Sequence, residues 1–116
     1  MEETTKPSPE KELDDLLDRY RPEHKRVLGW LDEDYGPLVF RRPNRAEMKR
    51  FVAEVSDDNP DYQVAGDNLA LACVLHPTSE RLRVILDELP GLGMQTSAEL
   101  QKLAQATGKA RGRARG

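Results

Sequence analysis

Apolar residues recur along this chain in two rhythms, and the rhythms divide it into elements. Leu13, Leu16, Leu17 and Tyr20 fall at i, i+3, i+4 and i+7 on an otherwise charged stretch, which is the stripe of an amphipathic helix. Ser8 and Pro9 open that stretch as a cap followed by a first-turn proline, and Pro22 disfavours helix in the residue before it. The helix is therefore expected over residues 8–21. Residues 25–42, "KRVLGWLDEDYGPLVFRR", read as two short strands, Val27 to Leu31 and Leu38 to Phe40. Gly36 and Pro37 punctuate the turn between them. A helix through Val27, Leu28 and Leu31 is the alternative. A lone hairpin is marginal in water, so one face must pack on helices.

Helical periodicity then takes over. Asn44 stands where a cap is needed and Glu47 three residues on, in the capping-box position, ahead of an apolar face of Met48, Phe51, Val52 and Val55. A second helix is expected from about Asp61 to His76, stopping at Pro77, and its "LALACVL" is apolar on most sides. That makes it the centre of the core. Thr78 or Ser79 caps a third, with Leu82, Ile85, Leu86 and Leu89 on one stripe and Pro90 and Gly91 at its end. A last helix is expected from Ser97, as cap, to Ala106, carrying Leu100, Leu103 and Ala104. The fold class is mainly α (α+β): about four to five helices in a compact group with a small N-terminal β-hairpin. Residues 1–7 are expected to be disordered, 8–21 to form the amphipathic helix, 22–107 a single helical domain, and 108–116 a basic disordered tail.

Composition narrows the classes. A chain of 116 residues, 37% hydrophobic and 34% charged, holds one small domain with a modest core. No run approaches the ~20 apolar residues of a membrane span, and "MEETTKPSPE" lacks the basic and apolar regions of a signal peptide. A cytoplasmic protein is the expectation. The net charge of −3 is uneven: without the tail cations Lys109, Arg111, Arg113 and Arg115, residues 1–108 carry −7. The folded part should repel nucleic acid on average, while the tail can touch phosphate non-specifically or simply solubilise the terminus.

Cys73, the only cysteine, and His76 lie three residues apart and share a helix face in this reading. Nucleophilic catalysis would also need an orienting group and an oxyanion stabiliser, neither of which is signalled. Structural zinc wants four ligands, and the only other imidazole is His24, beside Pro22. The pair reads as a small core residue and an imidazole in a last helical turn, where partial positive charge suits the helix dipole. Asp57, Asn59 and Asp61 occupy the first, third and fifth places of a calcium loop, but Tyr62 and Asn68 stand where glycine and glutamate are required. The stretch reads as turns and caps. Arg41, Arg42, Arg45, Lys49 and Arg50 form a basic cluster near Trp30 and Phe40, without a DNA-reading motif around it, and read as a solvated face or a patch for an acidic protein partner, with a nucleic-acid contact as the alternative. "GLG" at 91–93 lacks the lysine and strand of a phosphate loop. No catalytic residue, metal ligand or cofactor is expected.

Taken together, "FRRPNRAEMKRF" and "LALACVLHPTSERLRVILDELPGL" resemble the small tail assembly chaperones of long-tailed bacteriophages. The resemblance spans residues 25–106. It implies a non-catalytic protein that binds the aggregation-prone, helix-rich tape measure protein while tail tube subunits polymerise around it. It also implies a longer form made by ribosomal frameshifting, with which the dipeptide Gly108-Lys109 is compatible. Such a role needs apolar strips offered to an amphipathic helix. The candidates are the Leu13, Leu16, Leu17, Tyr20 stripe and the hairpin aromatics Trp30 and Phe40, with a place in the core as the alternative for each. The competing expectation is a small nucleic-acid-binding or regulatory protein using Arg111, Arg113 and Arg115 with the 41–50 cluster. Self-association is a further expectation if the leucine stripes exceed what one core can bury.

Overall fold

The computed structural model describes residues 8–106 and 112. The expected disordered N-terminus, the tail arginines and the Gly108-Lys109 dipeptide lie outside the described residues. The elements run α1 (Pro9–Tyr20), β1 (Val27–Asp32), β2 (Gly36–Arg41), α2 (Arg45–Val55), α3 (Tyr62–Cys73), β3 (Val74–His76), α4 (Ser79–Glu88) and α5 (Leu92–Leu103). The architecture is α+β, with the hairpin ahead of the main helical group.

Local chemistry explains most boundaries. The Ser8 hydroxyl accepts from Lys11 N, the Asp61 carboxylate from Val64 N and the Thr78 hydroxyl from Arg81 N, each satisfying one free amide of a first turn. Asn44 and Glu47 make the full reciprocal capping box. In the hairpin, Asp32 Oδ2 accepts from Asp34 N at 2.9 Å and Tyr35 N at 3.0 Å. Gly36 then takes φ +81°, a left-handed conformation glycine adopts without a Cβ penalty.

The sheet has the order β1-β2-β3, antiparallel throughout, with β2 in the middle. Its two faces are both covered, which the sequence did not foretell. Gly29 faces α1: a Cβ built on it would meet Leu13 Cδ1 at 3.1 Å and Leu17 Cδ1 at 3.2 Å. Val39, paired with Gly29 in the register, is fully buried. On the other face Leu38 and Phe40 join Phe51, Leu69, Leu82, Ile85 and Leu100 in the main core, with Leu28 and Trp30 packed against it. The sheet is thus the middle layer between α1 and the remaining helices.

Three expectations are corrected. The helix ending at His76 stops instead at Cys73, and residues 74–76 form β3, because pairing of Phe40 with Val74 and Val39 with His76 captures this backbone. The last helix starts at Leu92 rather than Ser97, and Ser97 lies buried within it with its hydroxyl donating to Met94 O. Tertiary contact outweighs the loop-like composition here. A Cβ on Gly66 would lie 3.0 Å from the Gly93 carbonyl carbon, so α3 and α5 touch backbone to backbone. Finally, Phe40 is wholly buried and Leu16 buried, so neither is a free contact surface.

The glycine contact generates a paired expectation. Gly66→Ala should lower stability by about 1–3 kcal/mol despite alanine's better helix propensity, because the added methyl meets the Gly93 backbone at 3.0 Å and α5 has to shift to admit it. Gly91→Ala, with open space around its built Cβ and φ −83°, should stay within about 0.5 kcal/mol of wild type. Urea unfolding of the two variants checks both.

Candidate functional site

A connected polar group sits where β2, α2 and α3 meet. Arg41, the last residue of β2, places Nη1 2.8 Å from Glu47 Oε1 and Nη2 2.7 Å from Glu47 Oε2, a two-pronged charged contact. Nη2 also donates to the Ala72 carbonyl at 2.7 Å, so a cation satisfies an acceptor at the C-terminal end of α3. Glu47 in turn receives the Asn44 amide of the capping box. The Arg41 contact, more than the Asn44 bond, holds the Glu47 carboxyl below its ordinary range against the opposing effect of burial. Cys73 is buried beside this pair, its Sγ 3.9 Å from Glu47 Oε1. Burial first, and then the Glu47 charge, push its thiol up to about 12. A thiol kept protonated is a poor nucleophile.

His76 is in a different environment. It lies on β3, not in a helical turn, so the expected benefit from a helix dipole is absent. It lines a groove of about 530 Å³ with Glu12, Asp15, Leu16, Arg19, Tyr35 and Pro37. Burial and then the Arg19 charge lower its pKa, only partly offset by Glu12. Cys73 therefore faces Arg41 and Glu47 while His76 faces α1 and the hairpin, and the two do not form one reactive pair. The residues of the calcium-like stretch are also engaged separately: Asp61 caps α3, Asp57 accepts from Asp58 N, and Asn68 donates to Glu54.

The basic cluster divides. Arg41 is neutralised by Glu47, and Arg50 lies 3.9 Å from Glu54. Arg42 and Arg45 line a groove of about 590 Å³ with Pro43, Asn44, Met48 and Ala104. Arg42 is shared with a second groove formed by Glu23, His24, Lys25 and Arg26. Sequence reading missed Lys25 and Arg26 as members of this face. The hairpin register was the available signal, because Val27 opposite Arg41 brings the residues before one strand beside those after the other. Arg26 also donates to the Leu103 and Gln105 carbonyls, which seats the end of α5 on the same side.

The apolar stripe of α1 is largely spent on the sheet. Leu13 and Leu17 cover Gly29, and the Tyr20 hydroxyl donates to Leu75 O at 3.2 Å. Trp30 is half-buried against the main core. Large apolar side chains left about half exposed lie elsewhere: Val52 on α2, Tyr62 and Val64 on α3, Val84 on α4 and Met94 on α5. Val64, Leu71 and Leu86 line a groove of about 160 Å³ between α3 and α4 together with Asp67, Asn68, Arg83 and Asp87. None of these was singled out from sequence as a contact residue. Their only sequence signal was apolar residues in helices whose stripes already supplied a core.

These features define a small α+β protein with a three-stranded antiparallel sheet between one helix and a helical group. Residues 31–111 match the family described as a domain of unknown function (DUF6848), and the chain belongs to that family. The solved structure of uncharacterised protein RBSTP2171 from Bacillus stearothermophilus is similar, with a TM-score of 0.62 and 25% sequence identity over 83% of this chain and 98% of that one. A search of curated proteins finds no match. Among the described residues, no helix is long and apolar enough to cross a membrane.

Two outcomes follow from the electrostatics. Cys73 should resist thiol reagents at pH 8 in the folded protein and react fully after unfolding, as a colorimetric thiol assay would read. His76 has a folded pKa below the ~6.5 of an unfolded histidine, so the unfolded state binds its proton first as pH falls. Its contribution to stability is complete above pH ~6.5 and is lost below that value, down to its folded pKa. The drop in Tm between pH 7.5 and pH 5.5 should therefore be smaller in His76→Gln than in wild type.

Proposed function

We propose that this chain is a non-catalytic binding protein of the tail assembly chaperone kind, which holds helical segments of a tape measure protein and helps recruit tail tube subunits during tail assembly. The observation that carries the reading is the set of apolar side chains left at the surface of the helical group. Val64, Val84 and Met94 come from three different helices and are 49%, 47% and 46% exposed. Of these, Val64 lines a groove with Leu71 and Leu86, an apolar strip bounded by Asp67, Asp87 and Arg83. An amphipathic helix with apolar residues at i, i+3 and i+4 and flanking charges is the ligand such a strip suits. This moves the binding surface from the α1 stripe and Phe40, which pack within the fold, to the α3–α4 side. The buried thiol and the paired Arg41 and Glu47 are consistent with structural rather than catalytic duties.

A second reading, binding of nucleic acid, is favoured by one specific observation. Lys25, Arg26, Arg42 and Arg45 line adjoining grooves beside the end of α5, from which the basic tail continues. Phosphate contacts of this kind give strongly salt-dependent affinity.

A pull-down of a purified tape measure fragment separates the two readings. Val64→Asp with Val84→Asp should reduce recovery at least about tenfold while circular dichroism stays unchanged, since both sites are exposed and a charge in a hydrophobic contact is costly. Retained binding by that variant would remove the α3–α4 surface from the proposal. Recovery that depends on nucleic acid, and that Arg42→Ala with Arg45→Ala weakens, would favour the second reading.

A further inference from the structure

The geometry points to self-association through the outer edge of β1, with the β1 strand of a second copy added antiparallel about a two-fold axis at Gly29. In the three-stranded sheet only β2 is paired on both sides, so β1 and β3 are its edges. The two edges differ. β3 is three residues long, and the Tyr20 hydroxyl binds the Leu75 carbonyl within it. Short strands and side-chain cover are how sheets blunt an edge. β1 is six residues long, VLGWLD, with no proline and no charge before Asp32, and all six residues are only half-buried. Its outer backbone groups, which have no strand partner among the described residues, form the kind of template to which another strand adds.

The charges flanking the strand identify a second copy as the occupant. A symmetric antiparallel pair must place one residue opposite itself, and this also keeps the α1 face of one sheet continuous with the α1 face of the other. With Gly29 opposite Gly29, Lys25 falls opposite Glu33 of the second copy, while Arg26, held by the Leu103 and Gln105 carbonyls, stands at the register position of its Asp32 and is not required to pair with it. Val27 then faces Leu31, and Leu28 faces Trp30, joining apolar residues on both faces. Centring on Trp30 instead would set Leu28 against Asp32 and Val27 against Glu33. Centring on Leu28 would set Arg26 against Trp30. One register alone pairs opposite charges at both ends and apolar residues between them, and cross-strand pairs of these types favour association. Lys25 and Glu33 are both exposed, so this outermost pair is available without rearranging the fold.

An added strand of this length buries less than a standard interface, so the dimer is a weak one, in the micromolar range. Sedimentation velocity of the full chain over a concentration series should show reversible monomer–dimer exchange. Lys25→Glu and Glu33→Lys should each weaken dimerisation about tenfold, because two-fold symmetry creates the like-charge contact twice. The double variant carrying both changes should return to within about threefold of wild type, since its opposite charges face each other again. Hydrogen exchange at the β1 amides should slow as concentration rises. A chain that stays monomeric up to roughly 1 mM, well above a micromolar Kd, would overturn the inference. So would a dimer indifferent to both single changes, or a double variant no better than the singles.

Discussion

The Arg41–Glu47 contact is the constraint on which the arrangement of this fold turns. Arg41 ends the central strand, Glu47 is in the first turn of α2, and the Ala72 carbonyl that Arg41 also binds lies at the end of α3. One guanidinium therefore ties together the end of the central strand, the first turn of α2 and the end of α3. Both side chains are only about a quarter exposed or less, so water screens the pair weakly. Because Glu47 is also the reciprocal partner of the Asn44 cap, the ion pair and the helix start depend on each other. Val74 comes directly after the end of α3 and opens the third strand by pairing with Phe40, so the Arg41 bond and the strand pairing act together where α3 ends.

That third strand makes β2 central, and a central strand covered on both faces changes what the rest of the molecule can offer. Leu38 and Phe40 point to the helical group while Val39 points to α1, and all three are fully buried. The helix α1 is then a lid on the sheet rather than a free arm. Its leucines stabilise the fold by covering Gly29 and the face around it. Glycine at that position lets the leucine side chains approach the backbone, a contact that any larger residue would hold off. A partner reaching for apolar surface must look to α3, α4 and α5 instead, where valine and methionine side chains remain half exposed.

What could be read from sequence was what depends on residues close together in it. The caps Ser8, Asn44 and Thr78 and the capping-box Glu47 act over three residues, and each was legible. The hairpin turn was legible through Gly36 and Pro37. What escaped was set by contacts across the chain. "LACVLH" is apolar in either rhythm, so only its pairing with β2 shows that the last three residues are strand. "GLGMQTS" looks like a loop until the backbone of Gly66 is set against Gly93. A strand buried on both faces loses the alternation that would have shown Phe40 to be core rather than surface. Arg41 looked like one cation among five because its carboxylate partner was already assigned to a cap.

The same hairpin register that closes the core also sorts the charges of the sheet. Lys25 and Arg26 precede β1 and Arg42 follows β2, so antiparallel pairing gathers the cations at one end. Asp32, Glu33 and Asp34 occupy the turn, which places the acids at the other end. At the acidic end the Arg81 guanidinium lies 5.6 Å from the centre of the Tyr35 ring, joining α4 to the turn. A sheet with opposite charge at its two ends has a direction that an approaching charged surface can sense before contact. For a protein whose net charge is only −3, such separation matters more to recognition than the total. It favours antiparallel approach of a like-charged sheet and disfavours parallel approach, because reversing one partner brings each cation to an acid. The sequence order of basic, apolar and acidic residues around β1 thus becomes an orientation rule once the hairpin has folded.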